Sequence, residues 1–254
     1  MLMGEFMNIT IAAAQSASVC GEVEWNVARH LRFADIAAEK GVQLLVFPEL
    51  SLIGYELGVA RAHAMDPETA ALDPLRKLAV EARMTIVAGA PLLNDQGQMH
   101  IAAFAFLPDG SAAVYTKEHV HSSEMGVFTS GPGGPELRVE DATVALAICA
   151  DASHPQHAAK AAARGANVYA AGVMIDAAGY ARKIPLLESY AREHRMAVLM
   201  ANYSGSTGGD VSAGKSSLWS EDGHLVAAAS GNAEVLVIGK KLNGAWNGAV
   251  LAVA

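Results

Sequence analysis

Six short runs built almost wholly of apolar residues punctuate the chain: NITIAAAQ (8–15), QLLVF (43–47), TIVAGAP (85–91), TVALAIC (143–149), VYAA (168–171) and AVLMA (197–201). A half-wet strand alternates apolar with polar residues, whereas runs of this kind suit strands covered on both faces. Stretches with helical spacing separate most of them. The combination predicts an α/β protein whose sheets lie under helices. At 254 residues and 52% apolar content, the chain is expected to fill the core of one domain over 1–254.

The intervening segments refine this. From Glu22 to Lys40, Val27, Leu31, Ala34 and Ala38 share one helical face, and Gly41 marks the end. A second helix is expected from near Asp66 or Pro67 to Arg83, with Leu72, Leu75 and Leu78 or Ala79 inward. Residues 85–91, 99–107 and 111–116 read as consecutive strands parted by NDQGQ and PDG, both turn chemistry. Residues 118–135, EHVHSSEMGVFTSGPGGP, form a long irregular connection. Helices are expected over His154–Arg164 and from about Ile184 to His194, and SSLWSEDGHLVAAAS reads as strand, turn, strand.

Several function classes are disfavoured at once. A net charge of −8 without any basic cluster is the wrong footprint for nucleic acid. Two cysteines, Cys20 and Cys149, make no disulfide framework and suit a reducing compartment, so the cytoplasm is expected. The opening MLMGEFMNIT has no basic, apolar leader pattern, and no run approaches the roughly 18 apolar residues of a membrane span. Met1, Met3 and Met7 leave the start site open, so residues 1–6 carry no structural weight.

Two motifs are decoys. GDVSAGKS (209–216) satisfies the phosphate-loop spacing, but such a loop must open a helix, and Lys215 leads into strand-like sequence. His119 with His121, and His154 with His157, have spacings that suit a metal, yet no Cys-x-x-Cys or His-Glu-x-x-His accompanies them. No G-x-G-x-x-G links a strand to a helix, so no dinucleotide cofactor is implied. The expectation is an activity with neither cofactor nor metal.

What remains is a constellation. Glu49, Lys117 and Cys149 each follow directly on a strand-like run, QLLVF-P, AAVYT and VALAI. If those strands point the same way, the three side chains arrive on one rim of a sheet, where open α/β sheets place their ligands. A thiol there needs a base or a cation to become nucleophilic. Glu49 can take its proton and later activate water, and Lys117 offers a fixed positive charge, with the Ala150 backbone N–H as a further oxyanion donor. Taken singly, each residue reads more readily as an exposed glutamate, a solvated lysine or a buried thiol than as a functional group.

The segments FPEL, YTKEHVH and ICADASHP resemble the three signature blocks of the nitrilase superfamily of carbon–nitrogen hydrolases, in the same order. The resemblance takes in the IAAAQ strand, the Gly165-Ala166 turn and NYSG…SAGKSSLW…DG. It implies a four-layer α-β-β-α sandwich with pseudo-twofold related halves, and a dimer or larger homo-oligomer. By the same resemblance Glu49 is general base, Lys117 stabilises the oxyanion and Cys149 is the nucleophile. A second, supporting glutamate matches Glu124 best, with Glu118 as competitor. The implied activity is hydrolysis of a small non-peptide amide through a thioester. A nitrile or N-carbamoyl hydrolase, an inactive binding protein of the same fold and a nucleotide binder at Gly209–Ser216 stand as alternatives. Ala150 departs from the aromatic residue many members carry after the nucleophile, and ASHPQ replaces the usual arginine-bearing stretch.

Overall fold

The computed structural model describes residues 7–253, so the expectation about residues 1–6 lies outside it. In chain order the elements are β1 (Ile9–Gln15), α1 (Val23–Glu39), β2 (Leu44–Val46), α2 (Asp73–Ala82), β3 (Thr85–Leu93), β4 (Met99–Phe106), β5 (Ala112–Thr116), β6 (Leu137–Val139) and β7 (Ala142–Ile148). They continue as α3 (Pro155–Ala163), β8 (Val168–Gly172), α4 (Ala177–His194), β9 (Ala197–Ala201), β10 (Ser206–Thr207), β11 (Asp210–Val211), β12 (Ser217–Trp219), β13 (Leu225–Ala228), β14 (Val235–Leu242) and β15 (Ala245–Ala252).

Two large mixed sheets result, with β10 and β11 forming a separate antiparallel pair. One has seven strands in the order β15-β14-β1-β2-β3-β4-β5, the other six in the order β13-β12-β9-β8-β7-β6. Within the first, β1, β2 and β3 are parallel, and β4 turns back so that β5 regains their direction. Within the second, β7, β8 and β9 are parallel. The apolar runs are buried on both sides, as their composition requires. On β1, Ala12 and Ala14 pack with Val27, Phe33 and Ala37 of α1, while Ile11 and Ala13 face the other sheet. There they join Val144, Leu146 and Leu199, and Ala158, Leu187 and Tyr190 of α3 and α4 close that side. The layers therefore run α-β-β-α.

The structure corrects four expectations. Glu49, Lys117 and Cys149 do not share the rim of one sheet: the first two follow strands of the seven-stranded sheet, and Cys149 follows β7 of the other. They meet because the two sheets stack face to face. The buried side of α1 is Asn26, Val27, His30, Phe33, Ala34 and Ala37, with Leu31 and Ala38 only half-buried. Two polar residues take the centre of that face because the turn after Glu49 needs hydrogen-bonding partners. Asn26 Nδ2 donates to the carbonyls of Val19 and Leu52, and His30 Nε2 lies 2.9 Å from Ser51 Oγ. His30 Nδ1 lies 2.7 Å from the Asn26 carbonyl, an acceptor only, so the ring proton sits on Nδ1. Burial lowers the His30 pKa to about 4 and keeps it neutral.

The other two corrections concern helix starts. The second helix begins at Asp73, after a short 3-10 turn over Ala70–Leu72, because Pro74 supplies the start signal there. The last helix begins at Ala177, not near Ile184. Pro185 at the second position of the expected helix mimics a start, yet it lies inside α4, whose N-cap is Asp176, accepting from Gly179 N at 2.6 Å. Strands β6, β14 and β15 are additions to the reading from sequence. Residues 209–216 run through β11 into β12 and no helix opens there, while Ser216 N donates to Gln15 Oε1 at 2.9 Å.

Two glycines let the sheets close on the Phe47–Leu50 turn. A Cβ on Gly89 of β3 would stand 2.3 Å from Leu50 N and 2.7 Å from the Pro48 carbonyl, and one on Gly172 of β8 would stand 2.6 Å from the Phe47 carbonyl. Gly89→Ala is therefore expected to destabilise the protein by about 1–3 kcal/mol, as overpacking against backbone does. Gly58→Ala, with nothing within 4 Å of the added methyl, should stay within about 0.5 kcal/mol of wild type, except for glycine's own entropy term. Urea unfolding of the pair measures the difference.

Candidate active site

The turn that carries Glu49 is fixed on several sides. Phe47 N donates to the Val87 carbonyl and Leu52 N to the Gly89 carbonyl, both at 2.9 Å, while the Tyr203 hydroxyl donates to the Glu49 carbonyl at 2.7 Å. Leu50 takes the left-handed conformation with φ +53°. The Glu49 carboxyl is thereby aimed into the space between the sheets.

Lys117 follows β5, its N–H bonded to the Ile101 carbonyl at 2.9 Å and its carbonyl to Gly131 N at 2.7 Å. The second contact comes from GPGGP, which returns alongside β5 and pairs Thr116 with Gly133. The Lys117 side chain is completely buried. Its Nζ donates to Glu49 Oε1 at 2.6 Å and to both Glu124 oxygens at 2.8 Å. Glu124 in turn accepts from the Tyr55 hydroxyl at 2.6 Å and from His121 N at 2.7 Å. Glu118 points away, to Lys160 at 2.9 Å, so of the two glutamates only Glu124 joins the cluster.

Cys149 directly follows β7 and opens a 3-10 turn over Cys149–Ser153, with φ +43°. A non-glycine residue in that region costs on the order of 1–3 kcal/mol, and the surroundings must hold it there. Asp151 does much of the holding. Fully buried, it accepts from Ile148 N at 3.0 Å, the Tyr115 hydroxyl at 2.7 Å and His119 N at 2.8 Å. It thus ties the turn of Cys149 to the strand and loop on either side of Lys117. Ala150 is the second residue of the turn, where a backbone N–H has no intrahelical partner. Three of the four paired histidines belong to this scaffold. His119 lies on Asp151 at 3.1 Å and stacks on His154 at 3.9 Å, and His157 lies 2.8 Å from the Tyr115 hydroxyl and 2.9 Å from that of Tyr169.

The thiol faces a cleft of about 530 Å³ lined by Tyr55, His121, Ala150, His154, Met174 and Lys183 among others. Sγ donates to the Met174 carbonyl at 3.5 Å, and Lys183 Nζ lies 3.5 Å from Sγ. Lys183 is absent from the expected set, because a helix started near Ile184 leaves it in a loop with no assigned direction. Glu49 Oε2 is buried without a well-formed hydrogen bond, and the thiol is close enough for hydrogen bonding to pull the Glu49 pKa down.

Burial and charge set the proton affinities. Burial raises the Glu49 pKa, and the Glu124 charge adds to it, to about 7 against the downward pull of Lys117. Burial works to lower the Lys117 pKa, but the Glu49, Cys149 and Glu124 charges outweigh it and hold the ammonium above the usual lysine range. Burial and then Glu49 push the Cys149 thiol up, opposed by Lys183 and Lys117. A carboxyl near neutrality and a fixed ammonium thus lie buried behind a thiol that faces the cleft.

Residues 10–241 match the family described as Carbon-nitrogen hydrolase. This chain belongs to that family. Among curated relatives it is similar to an (R)-stereoselective amidase of a Pseudomonas species, 28% identical over 159 residues, covering 62% of this chain and 57% of that protein. A hydrolase from the pqqF 5′ region of Pseudomonas protegens is 28% identical over 210 residues, covering 77% and 70%. The chain thus spans little more than half the length of the first of these. A mutant of the Nesterenkonia sp. AN1 amidase, solved with acrylamide added at its active-site cysteine, superposes with TM-score 0.83 at 25% identity, covering 92% of this chain and 93% of that one. Saccharomyces cerevisiae Nit3, of the nitrilase superfamily, gives TM-score 0.85 at 19% identity over 92% and 89%, which shows the shared fold.

Removing the central cation leaves buried carboxylates facing one another. Lys117→Met is expected to cost about 3–5 kcal/mol near pH 8. Glu49, deprived of the charge that restrains it, then has a folded pKa further above its unfolded value. Stability from such a group is present below the unfolded pKa and lost as pH rises through the folded one, so the deficit should shrink towards about pH 5. Urea unfolding of the variant at both pH values measures this.

Proposed function

We propose that this carbon–nitrogen hydrolase is an amidase, acting on a small non-peptide amide through a thioester formed on Cys149. The observation that carries the reading is the free, buried Glu49 Oε2 beside the thiol, with Lys117 bonded to the other oxygen of the same carboxyl. In this reading Glu49 removes the thiol proton and Sγ attacks the amide carbon. The Ala150 N–H faces the charge that develops on the carbonyl oxygen, and the Lys117 ammonium, its N–H groups held by the two glutamates, favours that charge through its field. Glu49 returns its proton to the departing nitrogen, the C–N bond breaks and ammonia or an amine leaves. Water then gives a proton to Glu49, its hydroxide adds to the thioester carbon, the C–S bond breaks to release the carboxylic acid, and Glu49 returns the proton to the departing thiolate. These steps close with groups of the chain and water alone.

Glu124 serves as the positioning residue, since it holds Lys117 from the side opposite Glu49. The relatives add support: the Pseudomonas protein is named an amidase, and the Nesterenkonia amidase carries its adduct on a cysteine. Ala150, where an aromatic residue is common, leaves the cleft wall beside Sγ shallow, and acyl groups bulkier than acetyl should fit.

The test is ammonia release from a panel of small amides, N-carbamoyl compounds and nitriles. Turnover of an amide is expected, abolished in Cys149→Ala with an unchanged circular dichroism spectrum, and lowered about 10²–10⁴-fold in Glu49→Gln. Undiminished turnover by Cys149→Ala overturns the reading, and turnover of nitriles alone replaces it with a nitrilase. Because Glu49 must be ionised to act as base, kcat/KM should rise with pH through about 7 and flatten above it.

A further inference from the structure

An ammonium has three N–H donors. Around Lys117 Nζ stand three carboxylate oxygens, Glu49 Oε1 at 2.6 Å and both oxygens of Glu124 at 2.8 Å. Its donors are all taken, and one positive charge is set against two carboxyl groups. Beside such a cluster no N–H of Lys117 is left for a thiolate, which it favours only through its charge. On the cleft side of the sulfur the situation is reversed. Lys183 Nζ, from α4, stands 3.5 Å from Sγ, within hydrogen-bonding distance for sulfur, and among the described residues this is the ammonium's one hydrogen bond and it has no carboxylate partner.

We propose that Lys183 is a further catalytic residue, whose ammonium pairs directly with the Cys149 sulfur and holds it as the thiolate that begins the reaction. The inference rests on the amidase reading only for the use to which the thiolate is put. The thiol S–H, bonded to the Met174 carbonyl at 3.5 Å, gives its proton to Glu49, and the S–H electron pair stays on sulfur facing Lys183. Lys183 keeps its own proton throughout. When Sγ bonds to the acyl carbon the pairing is released, and it forms again when water cleaves the thioester and the thiolate departs.

The other charged groups near the sulfur do not duplicate this role. Glu49 opposes ionisation, and Tyr55 gives its hydroxyl proton to Glu124. Arg182 lines the same cleft but is exposed, as is Asp210, and Asp176 is engaged in capping α4. His121 and His154 also line the cleft, where His121 bonds Ser123 and His154 stacks on His119. The competing role for Lys183 is to hold a carboxylate of the substrate, and the two are separable because only one of them operates in the empty enzyme.

The experiment follows thiol modification of Cys149 by methyl methanethiosulfonate, a neutral reagent without an amide, in a Cys20→Ser background, read by intact mass from about pH 5 to 9. Lys183→Met and Lys183→Gln should react at least about tenfold more slowly near pH 7, with the profile displaced by about one to three units to higher pH, and Lys183→Arg should recover much of the rate. Unchanged profiles in both neutral variants overturn the proposal. So does a loss confined to hydrolysis of carboxylate-bearing amides with thiol reactivity intact, which assigns Lys183 to substrate binding. If no amide is turned over yet the displaced profile is found, the amidase reading fails and the role of Lys183 stands.

Discussion

The ammonium of Lys117, fully buried between Glu49 and Glu124, is the interaction on which the rest of the molecule depends. Three charged groups out of water carry a desolvation cost of several kcal/mol each, and only close, multiply bonded geometry offsets it. That geometry needs carboxylates brought from two distant parts of the chain to one nitrogen, and walls that keep water from competing. The stacked sheets supply the walls. The hydroxyl of Tyr55 and the N–H of His121 supply the remaining bonds to Glu124. The Glu49 side is deliberately incomplete by comparison, since one of its oxygens has no such partner. Polar burial of this kind is tolerated where chemistry uses it, and the vacancy in bonding lies next to the thiol.

The second constraint is backbone shape. Leu50 and Cys149 both sit in the left-handed region, on the turns that present the carboxyl and the sulfur. Neither is a glycine, so each conformation must be imposed from outside. Around Leu50 the imposition is steric, from the close approach of β3 and β8 at Gly89 and Gly172. Around Cys149 it is polar: Asp151 and the hydroxyl of Tyr190, which donates to the Ala152 carbonyl at 3.2 Å, hold the turn. The motif residues and the residues that shape them are therefore different sets. A substitution at Gly89 or Asp151 reaches the site without touching the reacting atoms.

What was legible in the sequence follows from this division. The apolar runs announced strands covered on both faces, because burial on two sides leaves no polar position to alternate. Glu49, Lys117 and Cys149 were legible as strand-end residues, and the structure brings them together with Glu124. Their meeting across two sheets was not legible, since a run such as VALAI does not say which sheet it joins. Asn26 and His30 escaped because a face read by apolar spacing discards polar residues, however well their partners satisfy them. Lys183 escaped for a local reason, Pro185, whose ring suits a helix start and here interrupts the hydrogen bonding of a helix already two turns old.

The acid–base properties of the site then depend on competition within a single small volume. Burial raises both Glu49 and Cys149, the Glu49 charge acts against ionisation of the thiol while hydrogen bonding from the thiol favours the carboxylate, and the two groups compete for the proton between them. Which of them holds it is decided by the cations on either side. Lys117 touches only the carboxyl and favours the carboxylate with the thiol protonated. Lys183 touches only the sulfur and favours the thiolate with the carboxyl protonated. Two lysines on opposite sides of that proton make the two arrangements closer in energy than either lysine alone would. On the proposed reading, a thiol poised in this way needs only the displacement of one proton to Glu49 to become the nucleophile, and Glu49 then holds the proton that the leaving nitrogen requires.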